Sequence, residues 1–376
     1  MKSERYDLIV VGAGIVGLAH AFHARERGLS VAVVEQNDRV LGASVRNFGH
    51  ACVTAQSGQA LDYARAGREH WIRLAGEAGF GLGTAGTWCV AREADELAVM
   101  AEFAAARGAE QVRMLGREQF LEQVPVADAV GGMHLPGDLQ VDPRAAAPAI
   151  AAWLERERGV DFRWRTAVLG VEQGRVRTSR GTLTAAAIVV AVNHDVDRLF
   201  PEQSDGLLRC RLHMLRATVR LPRPLPGPLF TGWSLLRYSG FAGLAGTDAL
   251  RDRLRRDHPA EVAADLHLMV TPQADGSLII GDTHIREPSE SPFQSEHGFE
   301  MLLAHAGELF GSTDIAVRER WQGVYSSARG REFLIAEPEP GVHVATVTTG
   351  IGMTTGLGLA ASVLDRITQV GAASSS

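Results

Sequence analysis

The chain has 376 residues, which at roughly 150 per domain leaves room for two or three domains, a large core and a cleft. Its composition, 45% hydrophobic and 22% charged with 41 glycines, excludes a disordered or fibrous protein and calls for several turns where backbone approaches closely. The net charge of −6 offers nucleic acid no extended positive field, and since Lys2 is the only lysine, anions must be bound by arginine and not by an internal amine.

Most of the arginines read as solvated surface charge. Cys52, Cys89 and Cys210 stand apart, without a C-x-x-C pair or metal-ligand spacing, so neither a disulfide framework nor a metal site is expected, and a reducing cytoplasm fits. The apolar stretch 8–22 is preceded by Glu4 and Asp7 and broken by three glycines, which reads as strand, turn and helix, not as a signal sequence. The longest unbroken apolar run elsewhere, 185–192, is far short of the ~20 residues of a membrane span, and none is expected.

Residues 6–11 read as a buried strand, Gly12-Ala13-Gly14-Ile15-Val16-Gly17 opens a helix that stops at Gly28, and 30–35 is a second buried strand. This unit forces a parallel pair with a right-handed crossover. Gly12 permits the tight turn, Gly14 removes a side chain where a pyrophosphate approaches, and Gly17 lets helix pack on strand, while the helix N-terminus offers free N–H groups. Glu35, 23 residues after Gly12 and followed by Gln36, is placed to accept hydrogen bonds from an adenosine ribose and to reject a 2′-phosphate. Dinucleotide binding other than NADP follows.

Amphipathic helices are expected over 57–78 and 93–107, then a polar, turn-rich region with Pro125, Pro136 and Gly137. Asp142-Pro143 caps a helix to 158 that Pro148 is expected to kink. Two meander strands and a third, buried on both faces, follow within 162–192. From 207 to 320 alternating strands, a proline-rich loop at 221–228 and a helix over 296–310 suggest an antiparallel sheet. A strand, a glycine-rich turn and a helix to about 370 end the chain. The fold class is therefore α/β (α+β overall): a discontinuous Rossmann-type domain (1–85, 141–206, 321–370) carrying an inserted antiparallel-sheet substrate domain (86–140, 207–320), with a disordered tail at 371–376.

The segment Gly42-Ala43-Ser44-Val45-Arg46-Asn47-Phe48-Gly49-His50 resembles the FAD-dependent D-amino acid oxidase superfamily, the glycine oxidase and sarcosine oxidase group. The resemblance implies that Ser44 lies along the pyrophosphate and that Arg46, Asn47, Phe48, Gly49 and His50 face the flavin. It extends through the strand around Thr166 to Val168, whose backbone would meet adenine, through Ala191-Val192-Asn193, and through Asp275-Gly276-Ser277-Leu278-Ile279-Ile280-Gly281. Thr349-Gly350-Ile351-Gly352-Met353-Thr354 matches the glycine-rich turn that closes over the flavin.

The departures matter as much. Residues 321–333 hold no cysteine for the covalent flavin bond of sarcosine oxidases, so the resemblance implies dissociable FAD. No lysine is available to stand over the flavin, and Tyr325 occupies the place where glycine oxidase-like members carry a carboxylate-forking arginine. The combination of residues 42–49, Trp321-Gln322-Gly323-Val324-Tyr325 and Gly281-Asp282-Thr283-His284 looks like the branch of FAD oxidoreductases associated with 2-aminoethylphosphonate breakdown, which implies oxidation of 2-aminoethylphosphonate or its N-methyl derivative to an imine and then phosphonoacetaldehyde. A phosphonate needs more donors than one carboxylate fork supplies; the expected substrate-binding residues are Arg46, Arg237, Tyr238, His267, His284 and Arg329, with His50 and Tyr325 as catalytic positions. His267 and His284 read equally as core histidines, Arg329 as a solvated turn residue and Cys52 as packing.

The bound amine must be neutral and its C–H bond about 3 to 3.5 Å from flavin N5, with O2 or another acceptor taking the electrons. Two rivals stand beside this reading: a glycine, sarcosine or D-amino acid oxidase, and a non-catalytic flavin sensor.

Overall fold

The computed structural model describes residues 5–373; Lys2 and residues 374–376 lie outside them. Strand Arg5–Val11, helix Ile15–Glu26 and strand Val31–Val34 form the expected crossover unit. Arg5–Val11 pairs in parallel with both Val31–Val34 and Gly181–Val190, and strands Asp161–Arg163 and Val342–Val347 extend the parallel set at its two sides. An antiparallel meander, Val168–Glu172 and Arg175–Thr178, joins the edge of Gly181–Val190, and Phe333–Glu339 covers Val342–Val347. The sheet has eight strands. Its central strands are apolar on both faces because helices Ile15–Glu26, Gly58–Ala78, Pro143–Arg158 and Gly352–Ala373 pack on one side, burying Phe22, Trp71, Leu154 and Leu364, and Val171, Val176 and Leu334 cover the other.

A second eight-stranded sheet runs in the order Ile315–Ser327, Leu208–Val219, Leu278–Glu287, Met269–Pro272, Leu229–Phe230, Thr87–Ala91, Gly131–Leu135 and Arg113–Gly116. It departs from the expected sheet in three ways. Leu229–Phe230 pairs in parallel with Thr87–Ala91, so the sheet is mixed. Two of its strands, Arg113–Gly116 and Gly131–Leu135, come from the region that reads as turn-rich, where glycine and short length mask their alternation, and Thr87–Ala91 comes from a stretch given no element. The boundary expected at 321 falls inside Ile315–Ser327, which pairs along its whole length with Leu208–Val219. A small third sheet, His50–Ala51, Leu139–Val141 and Leu82–Gly83, ties the two larger ones together.

Helix Pro143–Arg158 begins where Asp142 Oδ1 accepts the Arg144 N–H and continues through Pro148. Helix Ala245–Asp257 has no counterpart in the sequence reading, since its polar, arginine-rich face hides the buried Thr247, Leu250 and Leu254. The last helix, Gly352–Ala373, takes in three residues of the tail expected to be disordered from 371. Among the described residues no helix is long and apolar enough to cross a membrane.

Candidate active site

A cavity of about 610 Å³ lies between the two large sheets. At one end the glycine turn forms its wall. Gly12 has φ +100°, and a Cβ there would stand 2.7 Å from the Ala191 carbonyl oxygen; at Gly17 a Cβ would stand 1.9 Å from the Gly12 oxygen. Gly17 therefore packs helix on strand and does not line the cavity, whereas Gly12, Gly14, Ile15 and Val16 do. Ser44 Oγ accepts the Ile15 N–H at 2.8 Å, fixing the Gly42–His50 loop over the first turn of the helix.

Glu35 Oε2 accepts the Ala13 N–H at 2.9 Å, and Oε1 accepts both the backbone and side-chain N–H groups of Asn37. The acid thus braces the glycine turn from the cavity wall, with Gln36 beside it. Thr166 donates its backbone N–H to the Glu35 carbonyl, which brings Thr166 and Val168 to the same end. Ala191 and Asn193 line the middle; Asn193 takes a left-handed φ of +57° and its Oδ1 accepts the Ser326 N–H, linking the first sheet to the second.

At the far end Gly350, Ile351, Gly352, Met353 and Thr354 turn into the last helix, whose N-terminus opens on the cavity. Gly350 is required: φ is +78° and a Cβ would meet the Tyr325 ring at 2.8 Å. Arg46, Asn47, Phe48 and His50 line this region, with Arg46 exposed. Gly49 does not; a Cβ there would fall 1.8 Å from the Val141 oxygen, so its role is to let the loop cross that strand. His50 Nε2 sits 2.5 Å from Thr87 Oγ1 and 3.7 Å from Asp138 Oδ2. His50, Cys52 and Asp138 are the one trio among the described residues close enough to hold a metal. Burial, helped by Asp138, pushes the Cys52 thiol well up, so the sulfur stays protonated and is a poor ligand.

The wall facing this end comes from the second sheet. Arg237 follows the short helix Gly232–Leu236, and its Nη2 donates to the Tyr325 hydroxyl at 2.6 Å. Burial pushes the guanidinium down, but Tyr325, Asp282 and Asp265 outweigh it and hold the group charged. Burial pushes the Tyr325 phenol up against the pull of Arg237, so Tyr325 keeps its own proton to donate. Tyr238 stacks on Phe230 at 5.0 Å, and burial pushes its phenol well up; among the described residues its hydroxyl has only the Met269 sulfur, at 4.0 Å.

His267 and His284 also line the cavity, on either side of Asp282. Asp282 enters the sequence reading only within the Gly281-Asp282-Thr283-His284 run, with no site role; its signal is that this run lies in a strand buried from Leu278 to His284. Arg329 is exposed, outside this cavity and on the rim of a second one of about 460 Å³ that shares Arg237, Tyr238 and Tyr325 with the first. It is not brought to the expected substrate site, because the turn after Ser327 carries it away from the sheet.

A glycine turn braced by an acid, with two helix N-termini opening on one elongated cavity, is the cradle of a dinucleotide-dependent oxidoreductase. The chain belongs to the FAD dependent oxidoreductase family (DAO), whose model matches residues 7–366. It is 27% identical over 355 residues to glycine oxidase from Bacillus licheniformis, covering 89% of this chain and 85% of that protein. Among solved structures it is similar to glycine oxidase from Geobacillus kaustophilus, with TM-score 0.79 and 22% identity over 98% of this chain and 95% of that one. It is also similar to L-alpha-glycerophosphate oxidase from Mycoplasma pneumoniae with FAD bound, with TM-score 0.74 and 18% identity over 96% and 94%. The protein is an FAD-dependent oxidoreductase, which sets aside the non-catalytic reading. The glycine cradle fits FAD: Gly12 and Gly14 leave backbone open to the cavity, and Glu35 borders the same end.

Proposed function

We propose that this enzyme oxidises a small anionic amine at the carbon bearing nitrogen, and that its substrate is 2-aminoethylphosphonate or the N-methyl derivative. The imine so formed gives phosphonoacetaldehyde on hydrolysis. FAD, held without a covalent bond, supplies the hydride acceptor when bound. The observation that carries the reading is the buried Arg237, hydrogen-bonded to Tyr325 at the cavity wall with Tyr238 beside it. Three groups that keep their protons approach from separate elements, which suits the three oxygens of a tetrahedral anion better than the two coplanar oxygens of a carboxylate.

The chain's own residues divide the work. Arg237, Tyr325 and Tyr238 orient the anion, the Gly42–His50 loop and the turn at Gly350 exclude water from the reacting carbon, and His50 borders that space. His267 and His284 belong to the other end of the substrate. The electrons pass to O2 or another acceptor, and a cytoplasmic location agrees with three buried, free cysteines. Glycine or a related amino acid is the second reading, favoured by the likeness to the Bacillus glycine oxidase along most of both chains.

Arg237→Met tests the anion site. Losing one partner of a buried charged contact costs about 2 to 5 kcal/mol, so KM for the anionic amine should rise by more than about thirtyfold while an uncharged amine of the same length is little affected. Arg329→Ala should change either KM by less than about threefold, as expected for an exposed side chain. Equal effects of the two substitutions on the anionic substrate would remove Arg237 from the role.

A further inference from the structure

We propose that Asp282 forms an ammonium subsite, so that the cavity selects a zwitterion: its anion on Arg237 and Tyr325, its positively charged amine on the Asp282 carboxylate. The inference rests on the amine-oxidising reading and adds a binding residue to it.

Asp282 is 4% exposed and lines the cavity. Its Oδ1 lies 3.2 Å from His267 Nδ1 but has no aligned hydrogen-bond donor, and a buried carboxylate oxygen without a donor is costly. Its Oδ2 lies 3.5 Å from His284 Nε2, which gives it little. The reason is the tautomer: His284 Nδ1 faces the Asp265 carbonyl at 2.9 Å, a pure acceptor, so Nδ1 carries the hydrogen and Nε2 presents a lone pair. Burial and Arg237 push His284 down to about 4 against the pull of Asp282 and Asp265, so the ring stays neutral at pH 7. His267 Nε2 lies 3.0 Å from the Ser234 hydroxyl, which can donate to it, so Nδ1 carries the one hydrogen that faces Oδ1, out of line with it. Among the described residues Oδ1 thus has only the poorly aligned His267 Nδ1 and Oδ2 faces a lone pair, and a cation with several N–H groups supplies the missing donors.

The charged and titratable groups around Asp282 are His267 and His284, Arg237 and Tyr238 from the segment after Gly232–Leu236, and Tyr325 and Cys210 from the neighbouring strands. Burial pushes the Asp282 carboxyl up, but His284, His267 and Arg237 outweigh it and hold it below the ordinary carboxylate range. Arg237 and Asp282 thus present one positive and one negative charge to the same space, the pattern of a zwitterion in reverse. A negative neighbour also favours the ammonium form, so the bound amine gives up its proton only at higher pH.

The test uses FAD-loaded protein and two matched pairs that cannot be oxidised, since the carbon bearing nitrogen has no hydrogen. 2-Amino-2-methylpropylphosphonate is compared with 2,2-dimethylpropylphosphonate, and 2-aminoisobutyrate with pivalate, by titrating the flavin difference spectrum. In the wild type at pH 7 the amino member of the better-binding pair should bind about tenfold tighter or more, and the preference should fade as pH rises through the amine's own pKa. Asp282→Asn and Asp282→Ser should abolish that preference while the amine-free anion binds as before or more tightly, having lost a repelling charge. With an oxidisable amine, the rising limb of the reduction rate should move to lower pH in Asp282→Asn. A preference seen with the carboxylate pair alone overturns the phosphonate reading and leaves the ammonium subsite standing. Equal binding of amine and amine-free members by the wild type, or no binding of either amine, overturns the subsite without needing a variant.

Discussion

The two ends of the cavity are built on different plans. At the dinucleotide end the contacts are made by backbone and by residues close in sequence: Gly12, Gly14, Ser44 and Glu35 lie within one crossover unit and the loop after it. At the other end each group arrives on a different element, Arg237 after a short helix, Asp282 on Leu278–Glu287 and Tyr325 on Ile315–Ser327, so the site exists only once the second sheet has assembled. A backbone-built site is specified by where side chains are missing, and a side-chain-built one by which strands become neighbours. The first kind tolerates almost no added atoms, and the second changes its ligand with a single substitution.

The largest expected effect breaks the first end. Gly17→Ala places a methyl group 1.9 Å from the Gly12 oxygen, a clash with backbone that no rotamer relieves, so FAD retention should be lost outright. Wild-type protein should release free FAD on acid precipitation, and the variant, folded by circular dichroism, should release none. FAD retained at full occupancy by the variant would show that the turn is less constrained than its geometry implies.

A smaller effect shows that the first end also carries acid sensitivity. His20 and His23, on the helix behind the glycine turn, donate to the Val16 and Leu357 carbonyls, and burial pushes their imidazoles down to about 4 and about 3 from 6.5. The unfolded chain takes up protons that the folded chain refuses, so stability is complete above about pH 6.5 and falls as pH drops towards those values. The loss is on the order of 3 to 5 kcal/mol per imidazole. Thermal midpoints measured from pH 7 downward should fall steadily, and His23→Gln should flatten the slope. A midpoint unchanged across that interval would contradict the account.

The same contrast explains what was legible in the sequence. The crossover unit, the helices over 58–78 and 296–310 and the closing turn at Gly350 follow from local periodicity and glycine spacing. Arg237, Tyr238, His267 and His284 were singled out by chemistry and do line the cavity, but no local signal separates them from Arg329, which does not. Only the register of Leu208–Val219 against its two neighbours decides that Tyr325 lies opposite Cys210 and Asp282 one strand further on. Asp282 has a local signal in its buried D-T-H run, but its role appears only when His284's bond to the Asp265 carbonyl shows that this neighbour cannot donate to it. Gly17 serves the packing its spacing implies, whereas Gly49 carries the spelling of a cofactor contact yet lets the loop cross a strand, since a glycine's spacing does not say which side the missing side chain would have occupied.

The most direct test of the central claim is a comparison of kcat/KM for 2-aminoethylphosphonate and its N-methyl form against glycine, sarcosine and D-alanine, with anaerobic bleaching of the flavin confirming reduction by each amine. A buried site that offers Arg237, Tyr238 and Tyr325 to one anion loses a hydrogen bond worth about 1.5 to 3 kcal/mol when a carboxylate leaves a donor unpaired. The phosphonates should therefore exceed the amino acids by roughly tenfold to a hundredfold. Equal turnover of glycine and the phosphonates would contradict the account and leave a general amino acid oxidase in its place.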